Sequence, residues 1–272
     1  MQKVFNLTNR YIILATPLIL YTLVSSIYLA ISTNNGKLIN LIVAILLFGL
    51  MTGAFIAGWF NMIKIAIQYP EKEDVNSLIK EFPSGVGEYF LPSLGLLFVI
   101  FVFSLILIIG SHYVGLSLIG DPVISAESLA NAMQSSATIK SFIAGLNEEQ
   151  LLKIGCWNLL LLGTMTLIYY LIFLYVPALF FKNKNHFIAF FISLKDLFSR
   201  KIFKTTGLFL LIFIINFIIT LFSASFESNI IVHFLITLLN FYFITIASVG
   251  ICYYYYENFI APKLGQNVDI KI

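Results

Sequence analysis

Charged residues are scarce in this 272-residue chain. Asp, Glu, Lys and Arg together make up 11% of it, compared with about 25% in typical globular proteins. Hydrophobic residues make up 60%, and the mean hydropathy is +0.95. A soluble fold could not bury so much apolar surface, so the composition excludes an ordinary soluble domain. The net charge of +3 is too small, and the basic residues too scattered, to indicate nucleic acid as a partner.

Motifs for catalysis and for metal binding are also absent from the sequence. It contains no GxSxG, HExxH, GxxxxGK[ST] or DxDxDG pattern. Its two cysteines, Cys156 and Cys252, do not have CxxC spacing, and we interpret them as small apolar packing residues. We therefore expect a protein that is not an enzyme and that has no catalytic residue, cofactor or metal site.

Six long apolar stretches occupy most of the chain instead. They are Tyr11–Ile31, Leu38–Ile67, Phe90–Gly110, Leu159–Phe181, Thr206–Phe222 and Ile230–Tyr254. Each reaches or approaches the ~20 residues that a helix needs to cross the hydrocarbon core of a bilayer. Because backbone inside a bilayer must satisfy its own hydrogen bonds, these stretches predict helices. The sequence thus predicts an all-α integral membrane protein, a six-transmembrane-helix bundle that forms a single domain over residues 1–272.

Lysine and arginine residues are unevenly divided between the two ends of these spans. If successive spans alternate in direction, only Lys37, Lys140 and Lys153 of the 16 basic residues fall on one side. The positive-inside rule places the other, basic-rich side in the cytoplasm. We therefore predict a multi-pass protein of the cell membrane with both termini cytoplasmic and the lipid bilayer as its main partner.

Aromatic and basic residues near the span ends are typical of membrane interfaces. Trp59 and Tyr253–Tyr256 fall at predicted cytoplasmic ends and Trp157 at a predicted outer end, and we interpret them as anchors in the headgroup layer. We expect Lys64 to extend toward the cytoplasmic surface. No Asp, Glu or Arg lies deep in a span. Proton pumps and most ion-coupled carriers need such a group, so the sequence disfavours these classes.

Two cytoplasmic connections have the periodicity of amphipathic surface helices. The first is Glu71–Phe82, whose apolar face has four members: Val75, Leu78, Ile79 and Phe82. We expect Asp74 to cap this helix and Pro83 to end it. The second is His186–Lys204, whose apolar stripe has five members: Phe187, Phe191, Leu194, Phe198 and Ile202. Asp196 and several basic residues lie mainly on its other side, which predicts a helix in the headgroup plane.

The order of span, surface helix and span occurs twice in the same orientation, in residues 38–110 and 148–224. This order predicts a parallel repeat, and a shared Phe/Ile/Leu-rich composition is the alternative explanation. The long outer connection, residues 111–153, is interpreted as a lid over the bundle or as a binding surface. Within it, Asn147 followed by Gln150 is typical of a capped helix start that runs into span four.

Small and polar residues within the spans are the remaining candidates for a site. Gly49, Gly53 and Ala57 are spaced by four residues, and Asn61 continues the row. We predict that this row packs closely against another helix, with a substrate path along the same groove as the alternative. Five polar candidates remain: Asn216, Asn240, His112, Glu227 and His233. The asparagines are expected to bond across helices, and the other three would titrate together or bind a cation if they were adjacent.

Two cytoplasmic segments resemble those of known membrane protein families. The first contains Gly58-Trp59-Phe60, Lys64, Tyr69-Pro70-Glu71, Phe82 and Gly85, and the second runs from Ala189 through Ser193 to Lys204. They resemble the second-span exit and the surface helix of prokaryotic polytopic membrane proteins that are defined only as domains of unknown function. The resemblance covers residues 50–110 and 180–220. It implies a fold type in a bacterial or archaeal inner membrane and no catalytic residues.

Three classes of function stay open. A transport or permease-like component suits six spans with a repeat, and we expect this class first by analogy of architecture. A non-catalytic scaffold or envelope assembly protein would bind lipids, other membrane proteins or a second copy of the chain. An enzyme that acts on lipids is disfavoured because acid–base and metal-binding residues are missing. A polar cavity open to one side would favour a carrier, whereas a scaffold can have a dry core.

Overall fold

The structure, a computed structural model, describes residues 2–32, 38–70, 75–121, 144–226 and 229–262. The helical elements in these ranges are α1 Gln2–Arg10, a 3₁₀ turn Ile12–Leu14, α2 Ala15–Ser32, α3 Leu38–Gln68, α4 Val75–Leu118, α5 Glu148–Ile172, α6 Tyr175–Phe181, α7 His186–Leu197, α8 Ile202–Ser225, α9 Ile230–Tyr255 and a π-helical turn Tyr256–Ile260. No strand occurs in the described ranges. The prediction of an all-α protein is confirmed.

Six segments are long and apolar enough to cross a membrane. They are Ile12–Ser32, Ile42–Gln68, Ser77–Leu118, Glu148–Phe181, Ile202–Ser225 and Ile230–Ile260. The predicted number of such helices is confirmed, but two of them start more than one helical turn earlier than the hydropathy indicated, by over ten residues each. The third begins at Ser77 rather than Phe90, and the fourth at Glu148 rather than Leu159. In both cases a polar segment continues the helix beyond its apolar stretch.

The described helices fall into two compact units. The first comprises residues 1–99 and 172–272 and contains α1–α3, the first part of α4 and α6–α9. The second comprises residues 100–171 and contains the rest of α4 and nearly all of α5. Where the sequence predicted a single domain, the structure thus groups the residues into two units.

The core of the first unit is formed by side chains from α1, α2, α3, α4 and α9. Its buried members include Val4, Tyr11, Leu18, Phe55, Met62, Ile63, Leu78, Val249 and Cys252. Trp59 is also buried here, and its Nε1 donates a 2.7 Å hydrogen bond to the carbonyl of Leu14. The prediction that Trp59 anchors in the headgroup layer is wrong, because this bond and the stacking of its ring on Phe55 hold it inside the unit.

Helix α4 continues through Pro83 and Pro92 without a break. The prediction that Pro83 ends a separate surface helix is therefore wrong, and the predicted cap Asp74 lies outside the described residues. Close packing against α3 provides the reason: the Phe82 ring lies against Gly58, where a Cβ atom would be 2.6 Å from the ring. A proline inside a helix is tolerated when a neighbouring helix holds the segment in place.

The start of α5 has the geometry of a capping box. The backbone N–H of Gln150 donates to Oδ1 of Asn147 at 2.8 Å, and the backbone N–H of Asn147 donates to Oε1 of Gln150 at 3.0 Å. These reciprocal bonds satisfy two donors that a helix start would otherwise leave without a partner. The predicted capped start is confirmed, while residues 122–143 of the predicted outer lid lie outside the described ranges.

Helix α7 is shorter than the predicted surface helix. It starts after Asn185, whose Oδ1 accepts hydrogen bonds from the amides of Phe187 and Ile188, and it ends at Leu197. A turn separates it from α8, so the predicted helix His186–Lys204 is two helices. One face of α7 is buried through Ala189, Phe190, Ser193 and Leu197. Much of the predicted stripe is exposed: Phe187, Phe191 and Phe198 keep 53–68% of their surface.

The two segments of the predicted repeat differ in how their helices are broken. Residues 38–110 hold α3 and a stretch of α4 without a break, whereas residues 148–224 hold α5, α6, α7 and most of α8. Among the described residues, a separate short helix between two longer ones occurs only in the second of these segments. The repeat therefore stays a prediction from the sequence.

Candidate functional site

A cavity of about 500 Å³ lies in the first unit between α2, α3 and the N-terminal part of α4. Its walls are apolar and include Leu20 and Val24 of α2, Met51 and Phe55 of α3, and Phe82 of α4. A volume of this size falls within the ~300–1,000 Å³ range of small-molecule pockets. The cavity is therefore the first candidate for a ligand site.

The polar side chains Tyr21 and Thr52 pair with each other at this cavity. Their hydroxyl oxygens are 2.8 Å apart, and Thr52 donates its own hydrogen to the carbonyl of Phe48. The Tyr21 ring stacks on Phe55 with the ring centroids 4.2 Å apart. Because these hydroxyls are satisfied within the protein, the cavity favours a hydrocarbon group over an ion or a water molecule.

The cavity is elongated along α3. Its lining there extends from Met51 to Met62, which corresponds to ~16 Å at the helical rise of 1.5 Å per residue. That length is about half of a ~30 Å hydrocarbon core. An extended alkyl chain fits this shape better than a compact polar solute.

The predicted small-residue row lies only partly against another helix. A Cβ atom at Gly53 would be 2.6 Å from Cδ2 of Leu94 on α4, so α4 passes close to this glycine. At Gly49 no described atom lies within 4 Å of the Cβ position. Ala57 is fully buried, and its carbonyl oxygen would be 2.7 Å from a Cβ atom at Gly85. The close helix crossing is thus centred on Ala57 and Gly85 rather than on Gly49.

Asn61, the last member of the row, binds α4 through a hydrogen bond. Its Nδ2 donates to the carbonyl of Glu81 at 3.0 Å, and its side chain lies against Gly85. The residue is almost fully buried. An amide in this position stabilises the helix crossing, and it does not line the cavity.

The other polar candidates from the sequence are divided between the two units, and one of them lies outside the described residues. Glu227 lies outside those residues, His112 belongs to the second unit and His233 to the first. Asn216 is on the exposed face of α8. Nδ1 of His233 and Oδ1 of Asn240 are buried without a hydrogen-bond partner in the part of the chain that the structure describes. The bond across helices expected of Asn240 is thus not present at its Oδ1.

An ion pair with Asp196 at its centre was not predicted from the sequence. Its Oδ2 lies 2.5 Å from Nζ of Lys182 and accepts a 2.6 Å hydrogen bond from the hydroxyl of Tyr255. The charged side chains of Lys182 and Asp196 are 15% and 13% exposed. We expected Tyr255 to be an interfacial anchor and Asp196 to face the headgroups. Both predictions are wrong, because the two side chains are largely buried and form a hydrogen bond with each other. The available signal was that Asp196 is the only carboxylate in α7.

A second cluster of charged residues surrounds the buried Tyr89 of α4. Nζ of Lys64 donates a 2.7 Å hydrogen bond to the Tyr89 hydroxyl, and Nζ of Lys184 lies 2.8 Å from Oε1 of Glu88. Lys64 is half-buried and its ammonium group is held by Tyr89, so the expectation that it extends toward the cytoplasmic surface stays a prediction. The ring of Tyr89 also stacks on the ring of Phe180 in α6.

Metal ligands are not grouped anywhere in the described ranges, where no set of three His, Cys, Asp or Glu side chains could hold an ion. Comparison with protein families, with curated protein sequences and with solved structures finds no match to this chain. The resemblance to polytopic membrane families therefore stays a prediction. The features of the described residues that bear on function are the cavity and the two charged clusters.

Proposed function

We propose that the chain is a multi-pass protein of a bacterial or archaeal cell membrane, with cytoplasmic termini, that acts as a permease-like component for an apolar or amphiphilic molecule. The apolar cavity between α2, α3 and α4 is the observation that carries this proposal. Six helices of membrane-spanning length and the uneven division of basic residues support the location.

The chemistry of the cavity favours an alkyl chain as its occupant. Its lining is almost entirely hydrocarbon, and Tyr21 and Thr52 already satisfy each other. A polar solute would lose its hydration there and could replace little of it, since Thr16 is the other lining side chain with a hydroxyl group. Lipids, fatty acids and other molecules with a long apolar tail are therefore the substrate class that we assign.

The test is photo-crosslinking with a phospholipid that carries a diazirine in its acyl chain, in nanodiscs that contain the purified protein. Ala54 lines the cavity, so Ala54→Trp should fill it and reduce labelling of α2 and α3 severalfold. Ala224 is exposed on α8 and outside the cavity, and Ala224→Trp is the matched control that should label as the wild type does. Equal labelling of α2 in all three proteins would contradict the proposal.

A non-catalytic scaffold that binds lipids or partner proteins is the second candidate. A separate observation favours it: Phe187, Phe191 and Phe198 form an exposed aromatic surface on and just after α7. An exposed apolar surface of this kind marks an interaction with a membrane or with another protein. A scaffold would need this surface and would not need the cavity, so the Ala54→Trp variant separates the two candidates.

A further inference from the structure

Two lysine side chains converge on the buried Tyr89. Nζ of Lys64 lies 2.7 Å from its hydroxyl and 5.1 Å from its ring centroid, and Nζ of Lys184 lies 5.3 Å from the same centroid. Lys64 comes from α3 and Lys184 from the connection between α6 and α7. The fold therefore brings two cations from separate elements to one aromatic ring.

The charges in this cluster do not cancel. Glu88 is its only carboxylate among the described residues, and it pairs with Lys184 at 2.8 Å. No described carboxylate lies within 4.0 Å of Lys64, whose ammonium group donates to a neutral hydroxyl instead. The cluster therefore carries one surplus positive charge, in contrast to the balanced pair of Lys182 and Asp196.

The cluster is open to the outside of the protein on one side. The side chains of Lys184 and Glu88 are 57% and 42% exposed, whereas Tyr89 is buried. Its two lysines belong to the basic-rich end of the helices, which the orientation proposed above places in the cytoplasmic headgroup layer. Anionic lipids present their phosphate groups at that level.

We propose that Lys64 and Lys184, whose ammonium groups both lie near Tyr89, bind a phosphate group, and that the phosphate belongs to the headgroup of an anionic lipid. An ammonium group has three donor hydrogens, and Lys64 uses one of them on Tyr89. Its other donors and those of Lys184 would bind phosphate oxygens as point charges, as lysine does elsewhere. The Tyr89 hydroxyl accepts from Lys64 and directs its own hydrogen toward the carboxylate of Glu88, so the two lysines are the donors to the phosphate. Glu88 competes with the phosphate for Lys184.

The experiment measures phosphatidylglycerol bound to the purified full chain by native mass spectrometry, in titrations against phosphatidylcholine. Lys64→Gln and Lys184→Gln should each weaken phosphatidylglycerol binding about fivefold, which corresponds to the ~1 kcal/mol expected per basic residue near anionic lipid. Lys204→Gln is the matched control, since Lys204 is an exposed lysine outside the cluster, and it should bind as the wild type does. Glu88→Gln should strengthen binding, because it removes the competing carboxylate.

Three results would overturn the proposal. The first is an equal loss of phosphatidylglycerol binding in Lys64→Gln, Lys184→Gln and Lys204→Gln, which would indicate general attraction to anionic lipid. The second is weaker binding in Glu88→Gln, a variant that tests the site even if the lysine variants do not fold. The third is thermal stabilisation by inorganic phosphate but not by phosphatidylglycerol, which would assign the cluster to a free phosphate compound. The inference rests on the proposed orientation and not on the cavity, so Lys64→Gln should weaken phosphatidylglycerol binding by the same factor with and without Ala54→Trp.

Discussion

The hydroxyl of Tyr255 donates a 2.6 Å hydrogen bond to Oδ2 of Asp196, and this bond connects α9 to α7. The same carboxylate lies 2.5 Å from the ammonium group of Lys182, whose Nζ is also 5.1 Å from the centroid of the Tyr255 ring. One carboxylate thus joins the end of α6 and the next helix, α7, to a residue of α9 that lies 59 positions further along the chain. Because a buried charge is stable only when it is paired, each member depends on the others.

We predict that Asp196→Ala destabilises the protein by about 3 kcal/mol, since it leaves Lys182 buried without its counter-ion. Tyr255→Phe should cost about 1.5 kcal/mol, because it removes one hydrogen bond to a charged group. Lys195 is exposed on the same helix, and Lys195→Ala is the control that should have little effect. Thermal unfolding in detergent gives the order of stability. A stable Asp196→Ala variant would show that the ion pair does not hold α7 in place.

Three glycines provide a graded test of the helix crossing between α3 and α4. Gly85→Ala should destabilise the protein by about 2 kcal/mol, since its Cβ would be 2.7 Å from the rigid carbonyl of Ala57. Gly53→Ala should cost less, because the atom it meets is the end of the flexible Leu94 side chain. Gly49→Ala meets no described atom, and it should be neutral or stabilising because alanine favours helix. Unfolding of the three variants in detergent measures the order, and equal effects would contradict the crossing geometry.

Comparing variants of two tryptophans separates the contribution of the Trp59 hydrogen bond to stability from the contribution of its ring volume. Trp59→Phe removes the 2.7 Å bond to Leu14, whereas Trp157→Phe removes a buried N–H that has no partner in the described residues. Both changes remove a similar volume, so their difference reports the bond. We expect Trp59→Phe to be the more destabilising by about 1 kcal/mol. The bond would be unimportant if chemical denaturation showed the same loss for both.

The exposed stripe on α7 should contact lipid. In nanodiscs, Phe191→Asp should speed hydrogen exchange of the α7 amides, because a charge cannot remain in the boundary between headgroups and acyl chains. Phe191→Leu keeps the side chain apolar and should exchange as slowly as the wild type. Mass spectrometry of the α7 peptides measures the exchange. Unchanged protection in Phe191→Asp would show that the stripe does not hold α7 to the bilayer.

The proposed orientation can be tested with single cysteines in a variant that lacks Cys156 and Cys252. Arg200→Cys lies in the exposed turn between α7 and α8, and Asp121→Cys lies exposed after the end of α4. A membrane-impermeant maleimide should label Asp121→Cys in intact cells and should label Arg200→Cys only after the cells are opened. Labelling of Arg200→Cys in intact cells would reverse the assignment.

Local patterns in the sequence were sufficient for the helices and for one of their ends. The six apolar stretches predict six helices of spanning length, because the transfer of a segment out of water depends on its own composition. The cap at Asn147 was predictable for the same reason, since its partner Gln150 is only three residues away. Both features depend on neighbours along the chain.

The tertiary structure decided what the polar and aromatic residues do. Four residues have the side-chain type and the sequence position of interfacial residues, yet each binds a partner inside the protein. They are Trp59, Lys64, Asp196 and Tyr255. Pro83 likewise has the local signature of a helix end, and packing of the adjacent Phe82 against Gly58 keeps α4 continuous. A hydrogen bond, an ion pair or a close helix crossing exists only where another helix brings its partner within a few ångströms, and hydropathy along one chain contains no information about that distance.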